Sequence, residues 1–255
     1  MDHLSIPLWG VPILFLTGLV AGLVDAVAGG GGLITLPVLL GLGLPPPYAL
    51  GTNKLQSSFG STSAVRHFAR SGTIRLGDGA AGVAFTAAGA ALGAWAVQRL
   101  DPALLRQAIP FLLATIALYT LVTPHFGFED RRPRVQPGPF YSVFGLGLGF
   151  YDGFFGPGTG SFWVVALVAG LGLDLVRATG YAKLMNCTSN LISLGVFLAG
   201  GHVVLTAGLL MGSGQMIGAR IGAGLVVTRG ARFVRPLFLT MVLAVTAKLF
   251  YDGYR

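Results

Sequence analysis

Apolar stretches of about twenty residues recur along this chain, and they constrain its fold more than any other feature. A bilayer core about 30 Å thick needs about 20 apolar residues per crossing helix. Candidate spans are Leu8–Ala28, Tyr48–Ala69, Gly79–Val97, Ala103–Val122, Phe140–Phe155, Leu175–Ala199, Val204–Val227 and Phe233–Tyr251. Of the 255 residues, 53% are hydrophobic and only 10% are charged, against about 25% charged in soluble domains. A soluble chain of this length cannot bury so much apolar surface, and disorder is excluded because disorder needs low hydrophobicity. The expected class is an all-α polytopic membrane protein. In a soluble protein the net charge of +8 would point to nucleic acid; here no nucleic-acid partner is expected, and what matters is which loops carry the charge. The start, MDHLSIPLWG, has no basic n-region or small-residue cleavage site, so the first apolar stretch is expected to be retained.

Two further apolar segments, Leu33–Leu44 and Ser161–Leu173, are short; twelve residues of helix cover roughly 18 Å. Each follows a glycine cluster, Gly29–Gly32 and Gly156–Gly160, and the polar stretch 123–139 divides the chain into halves. Shifted by 127, Gly18, Gly22, Asp25, Gly29, Gly31 and Leu40 fall on Gly145, Gly149, Asp152, Gly156, Gly158 and Leu167. Shifted by 129, Gly51, Lys54, Leu55, Phe68, Gly89 and Gly93 fall on Gly180, Lys183, Leu184, Phe197, Gly218 and Gly222. Asp and Lys are scarce here, so their matches mark an internal repeat. The expected organisation is a first repeat at 1–122, an Arg-rich cytoplasmic linker at 123–139 and a second repeat at 140–255. Each repeat would hold a glycine-interrupted helical hairpin, crossing or re-entrant, plus three further transmembrane helices.

Basic residues set the orientation. If each short segment returns the chain to its starting side, the second repeat is inverted. One side then collects ten arginines, at 66, 70, 75, 131, 132, 134, 177, 229, 232 and 235, and the other three, at 99, 106 and 255. Parallel repeats would divide them seven to six. The positive-inside rule favours ten to three, hence inverted repeats with both termini outside.

Charge within a span costs roughly 2.5–3.5 kcal/mol per side chain, so its presence calls for a reason. Asp25, Lys54, Asp152, Lys183, Arg220 and Lys248 lie in or at the edge of spans; Lys248, near the chain end, can snorkel to the interface. The two Asp/Lys pairs either neutralise one another and hold helices together, or the lysines are anion ligands and Asp25 and Asp152 anchor the helix breaks or carry coupling protons. Three cations against two carboxylates would favour an anion, provided Arg220 reaches the cavity. The glycine loops (Gly29, Gly30, Gly31, Gly32; Gly156, Gly158, Thr159, Gly160) point the start of a helix, with its positive dipole end, at the break. Such breaks line substrate sites in many secondary transporters. Asn53, Gln56 and Ser57 share one helical face, and Lys183, Asn186 and Asn190 another. These faces can line a polar route or bond neighbouring helices. Neutralising Lys54 is expected to reduce transport much more than folding. Trp9, Trp95 and Tyr251 suit interfacial anchoring. No histidine pair has metal-ligand spacing, the single cysteine, Cys187, suits packing, and no hydrolase, metalloprotease or nucleotide-binding motif occurs. No enzyme activity, metal or cofactor is expected.

The stretches GLVDAVAGGGGLITLP, GTNKLQSSFGS, YDGFFGPGTGSF and AKLMNCTSN resemble the TauE/SafE (TSUP) family of membrane permeases, in particular its YfcA-like branch. The resemblance runs from about Gly18 to Tyr251. It implies a bacterial inner-membrane protein with two repeats that moves a small anion, often sulfur-containing (sulfite, sulfoacetate or similar); the reading adopted is a secondary transporter, with protons or sodium as candidate coupling ions. By motif position it implies that the glycine loops, Asn53–Lys54–Leu55–Gln56 and Ala182–Lys183 line the path. The second loop differs from the first in carrying Pro157 and Thr159 where the first has glycines. A passive anion channel of the same fold is the alternative.

Overall fold

The computed structural model describes residues 10–105, 107–109, 111–112, 115 and 134–253, with backbone alone beyond 229. The expected span Ala103–Val122 lies mostly outside the described residues, and so do the linker up to 133 and Arg106, Arg131, Arg132 and Arg255. The helices are α1 (Gly10–Ala28), α2 (Gly32–Gly41), α3 (Pro46–Arg70), α4 (Ala80–Val97), α5 (Pro137–Phe154), α6 (Thr159–Leu171), α7 (Leu175–Ala199) and α8 (Leu205–Gly253), with a 3-10 turn at Leu76–Gly79. Among the described residues there is no strand.

Local chemistry accounts for several boundaries. Proline at the first turn starts α3 and α5, where the missing N–H costs nothing. Asp174 caps α7, its carboxylate accepting from the Val176 and Arg177 amides at 2.8 and 3.0 Å. One expectation fails: α8 continues through Thr228–Arg232, where two spans were expected to separate. That stretch, TRGAR, holds a single glycine among residues of ordinary helix propensity, so nothing in it ends a helix.

Helix α1, α4 together with the 3-10 turn before it (Leu76–Val97), and the Leu205–Arg229 part of α8 are long and apolar enough to cross a membrane. Large apolar side chains stand on the outer surface, among them Leu16, Leu92, Val143 and Leu209, each more than half exposed; a bilayer supplies their solvent. Trp95 is also half exposed, and the Arg99 guanidinium lies 4.2 Å from its ring centroid, the arrangement of an interfacial anchor. At about 15 and 20 Å, α2 and α6 are too short to cross.

Glycine seams set the closest packing. Along α1 and α8, a Cβ at Gly18 would stand 1.9 Å from the Met211 carbonyl oxygen, and one at Gly22 would stand 2.3 Å from that of Gln215. Along α4 and α5, Gly93 and Gly153 face the carbonyls of Phe150 and Ala90 at 2.0 and 2.1 Å. Lipid tails are as apolar as leucine, so close backbone approach drives such association.

The contacts follow a two-fold pattern. Numbering rises together along α1 and α8 (Gly18 with Met211, Gly22 with Ala219) and along α4 and α5 (Gly89 with Leu146, Gly93 with Phe154). The two central helices α3 and α7, related by the 129-residue offset, run oppositely: Lys54 meets Asn190, Thr62 meets Cys187 and Phe68 meets Gly180. Two apolar cores result, and they are mates under the same offsets. Leu14, Leu36, Ala49, Ala94 and Phe197 of one correspond to Tyr141, Trp163, Ala178, Ala223 and Phe68 of the other. Each core draws on both halves of the chain.

Candidate functional site

The two glycine loops meet. Gly29 has φ of +75° and closes α1, its amide donating to the Asp25 carbonyl at 2.8 Å. That left-handed conformation favours glycine. A Cβ on Gly29 would stand 2.5 Å from the Gly160 backbone, so neither loop has room for a side chain at this crossing. Gly32 packs on Pro157, the residue in which the second loop departs from the first. The second loop is tied by side chains: the Tyr151 hydroxyl donates to the Pro157 carbonyl and the Thr159 hydroxyl to the Gly156 carbonyl, both at 2.6 Å. The first is held by Asp25, whose carboxylate accepts from the Gly31 amide at 3.4 Å.

Around this crossing the charged residues pair between halves. Lys54 Nζ lies 2.6 Å from Asp152 Oδ1, also donates to the Asp152 backbone carbonyl, and reaches Asn190 Oδ1 at 3.5 Å. Ser189 donates its hydroxyl to the other Asp152 oxygen. Lys183 Nζ lies 3.0 Å from Asp25 Oδ2. The offsets map one pair onto the other. The second pair is the looser: Lys183 Nζ lacks hydrogen-bond geometry to any partner among the described residues, and Asp25 is 13% exposed where Asp152 is 5%.

A polar cavity of about 20 Å³ lies between the loops, lined by Asp25, Gly29, Gly32, Asn53, Lys54, Ser57, Asp152, Gly156, Asn186 and Asn190. It has room for about one water. Of the expected site residues, Asp25, Gly29, Gly32, Asn53, Lys54, Asp152, Gly156 and Asn186 therefore converge on one wall. Gln56 stands behind it, donating to Asn53 Oδ1 at 2.7 Å and Ser57 Oγ at 2.8 Å. Lys183 also stands behind it and touches the cavity only through Asp25. Gly30, Gly31, Gly158, Thr159 and Gly160 shape the loops without lining the cavity. Arg220 does not reach it; it lines a separate groove with Arg66, His67 and Arg70. The centre thus holds two lysines against two aspartates, and the excess positive charge expected from the sequence is absent there.

Two further buried polar residues, one bonded into the cluster and one outside it, were not anticipated. Thr35, a lone hydroxyl in the apolar run of α2, bonds Asn53 Oδ1 at 2.6 Å, and the polar break in that run is the signal that could have found it. Gln215 is buried against Gly60, and both its side-chain polar atoms lack partners among the described residues. A single glutamine in the glycine-rich first part of α8 carries little sequence signal.

An all-α polytopic membrane protein with a buried, charge-paired polar centre between two broken helices is the class that these features define. The chain belongs to the sulfite exporter TauE/SafE family, whose model matches residues 14–249. It is similar to a probable membrane transporter protein of Haemophilus influenzae, 46% identical over 244 residues, which span 94% of each chain. It is also similar to the probable membrane transporter protein YfcA of Escherichia coli K12, 43% identical over 242 residues, covering 95% of this chain and 90% of that one. The probable membrane transporter protein YdhB of Bacillus subtilis is 25% identical over 247 residues, covering 91% of this chain and 97% of that one. No solved structure matches the chain.

Proposed function

We propose that this protein is a secondary transporter that moves a small anion across the bacterial inner membrane by alternating access. A sulfur oxyanion such as sulfite is the substrate class, an assignment carried by the family description; sulfoacetate is a second substrate to test. Residues 1–122 and 140–255 act as inverted repeats joined by a cytoplasmic linker at 123–139, with both termini outside. The opposed directions of α3 and α7 and the exchange of Asp/Lys partners between halves support that reading.

One observation carries the mechanism: two repeat-related ion pairs enclose a cavity of about 20 Å³, a closed centre without room for an oxyanion. Opening toward either side separates the helices that hold the pairs, and the anion then takes a carboxylate's place on a lysine. A carboxylate left unpaired at membrane depth costs several kcal/mol, so a cation must accompany the anion. A proton taken up by Asp25, the more accessible carboxylate, fills that role; sodium is the other candidate. Backbone at the glycine loops and the Asn53 and Asn186 amides orient the substrate. A passive channel of the same fold would need a continuous path, which the closed centre does not favour.

Counterflow of labelled sulfite and sulfoacetate in proteoliposomes, with and without sodium and at several pH values, tests the proposal. Saturable exchange without conductance is expected. A Lys54→Gln/Lys183→Gln variant of verified folding should lose it, and Asp25→Asn should retain exchange while losing proton-driven accumulation. Full flux in the double variant would sink the site assignment.

A further inference from the structure

The groove that holds Arg220 is a second site, and the geometry points to an anionic phospholipid of the surrounding bilayer as its occupant. The inference rests on the membrane embedding of the chain and not on transport. The groove, about 560 Å³, runs between α3, α7 and α8 and is separate from the polar centre. Its walls are mostly apolar, with Phe59, Leu191, Met216 and Ile217 among them and the hydroxyls of Ser58, Thr62 and Ser63 along α3; Leu191, Met216 and Ile217 are 49%, 45% and 44% exposed. They present an acyl-sized trough open to lipid.

Its far end is basic. Arg66, His67 and Arg70 occupy the last turns of α3, and Arg220 faces them from α8. Ser63 donates to the Met216 carbonyl at 2.9 Å and Gly224 lies against His67, so Arg220, between those two contacts, stands level with Arg66. Twenty-five residues of α3 cover about 37 Å, more than the hydrocarbon thickness of about 30 Å, so its last turn stands at headgroup depth. None of the three guanidinium groups has a carboxylate partner among the described residues. The charge is also one-ended. At the 129-residue offset Arg66, His67, Arg70 and Arg220 correspond to Gly195, Val196, Ala199 and Ala91, so the other repeat has no such cluster. A phosphodiester headgroup between the arginines, with its tail along the trough, satisfies both the charge and the apolar wall.

Native mass spectrometry of the full chain released from nanodiscs of mixed phosphatidylglycerol and phosphatidylcholine reads the preference directly. Retention of phosphatidylglycerol over phosphatidylcholine is expected, falling by roughly tenfold in Arg66→Gln/Arg70→Gln/Arg220→Gln. Leu191→Trp, which fills the trough and leaves the arginines intact, should also reduce retention and guards against misfolding of the triple variant. Equal retention of both lipids by the wild-type chain overturns the proposal, as does undiminished preference in both variants. Loss of labelled-anion uptake in the triple variant with lipid preference unchanged would make the groove a substrate vestibule instead.

Discussion

Lys54 and Lys183 occupy equivalent positions in the two halves, yet their surroundings differ. Lys54 spends its protons on the Asp152 carboxylate, the Asp152 carbonyl and Asn190, whereas among the described residues Lys183 has the Asp25 carboxylate alone at 3.0 Å. The difference arises from neighbours that the repeat does not share. Ser189, which helps hold Asp152, corresponds to Gly60, and Asn190 corresponds to Ser61. Removing Lys54 strands a carboxylate that is only 5% exposed, a class of change that costs roughly 3–5 kcal/mol. Lys54→Ala should therefore unfold at markedly lower temperature in detergent than Lys183→Ala, and adding Asp152→Asn should restore part of the loss. Equal losses from the two lysines would remove the asymmetry argued here. The bonding of Lys54 adds a folding role beside the transport role expected from sequence. Sequence could match the charges between halves, but it could not show which carboxylate each lysine meets.

Among the elements, the glycine seams of α1 with α8 and α4 with α5 bring backbones into contact, while the loops between broken helices bring the polar centre together. Two glycines test the first of these roles. Gly22 has the Gln215 carbonyl at 2.3 Å from its would-be Cβ, whereas Gly41 at the end of α2 has open space around it. Gly22→Val should cost about 1–3 kcal/mol or more through overpacking and reduce the yield of folded protein on size-exclusion chromatography, with Gly41→Val close to wild type. Comparable yields from both would mean the seam is not under packing constraint. Most helix boundaries were legible in advance: α7 ends where the apolar pattern ends, and α1 stops at the first glycine of its cluster. The continuity of α8 was not, because a drop in hydropathy at Thr228–Arg232 resembles a loop even where no residue breaks the helix.

For the whole molecule, the proposed inverted repeats require that equivalent positions of the two halves face opposite sides of the membrane. Ser71, just past α3, and Ala199, at the end of α7, are both exposed and lie about one repeat apart. In intact cells, a membrane-impermeant maleimide should label Ala199→Cys and spare Ser71→Cys, with the order reversed in inside-out vesicles. Native Cys187 is buried and should contribute little background. Labelling of both positions from one side would leave parallel repeats as the arrangement.

By itself the sequence determined the solvent and the matched positions of the few charges in the two halves. Long apolar runs permit only a bilayer, and scarce Asp and Lys residues at matched offsets stand out against an apolar background. Tertiary structure decided how those charges are used. It joined each lysine to the aspartate of the other half, closed the glycine loops over a cavity of about 20 Å³, and moved Arg220 out of the centre to a groove at the protein's edge. The physical reason is that burial and pairing depend on contacts between residues far apart along the chain, such as Lys54 with Asp152 and Asp25 with Lys183, set by which helices pack together. Apolar periodicity says which residues leave water and is silent on the partner each will find.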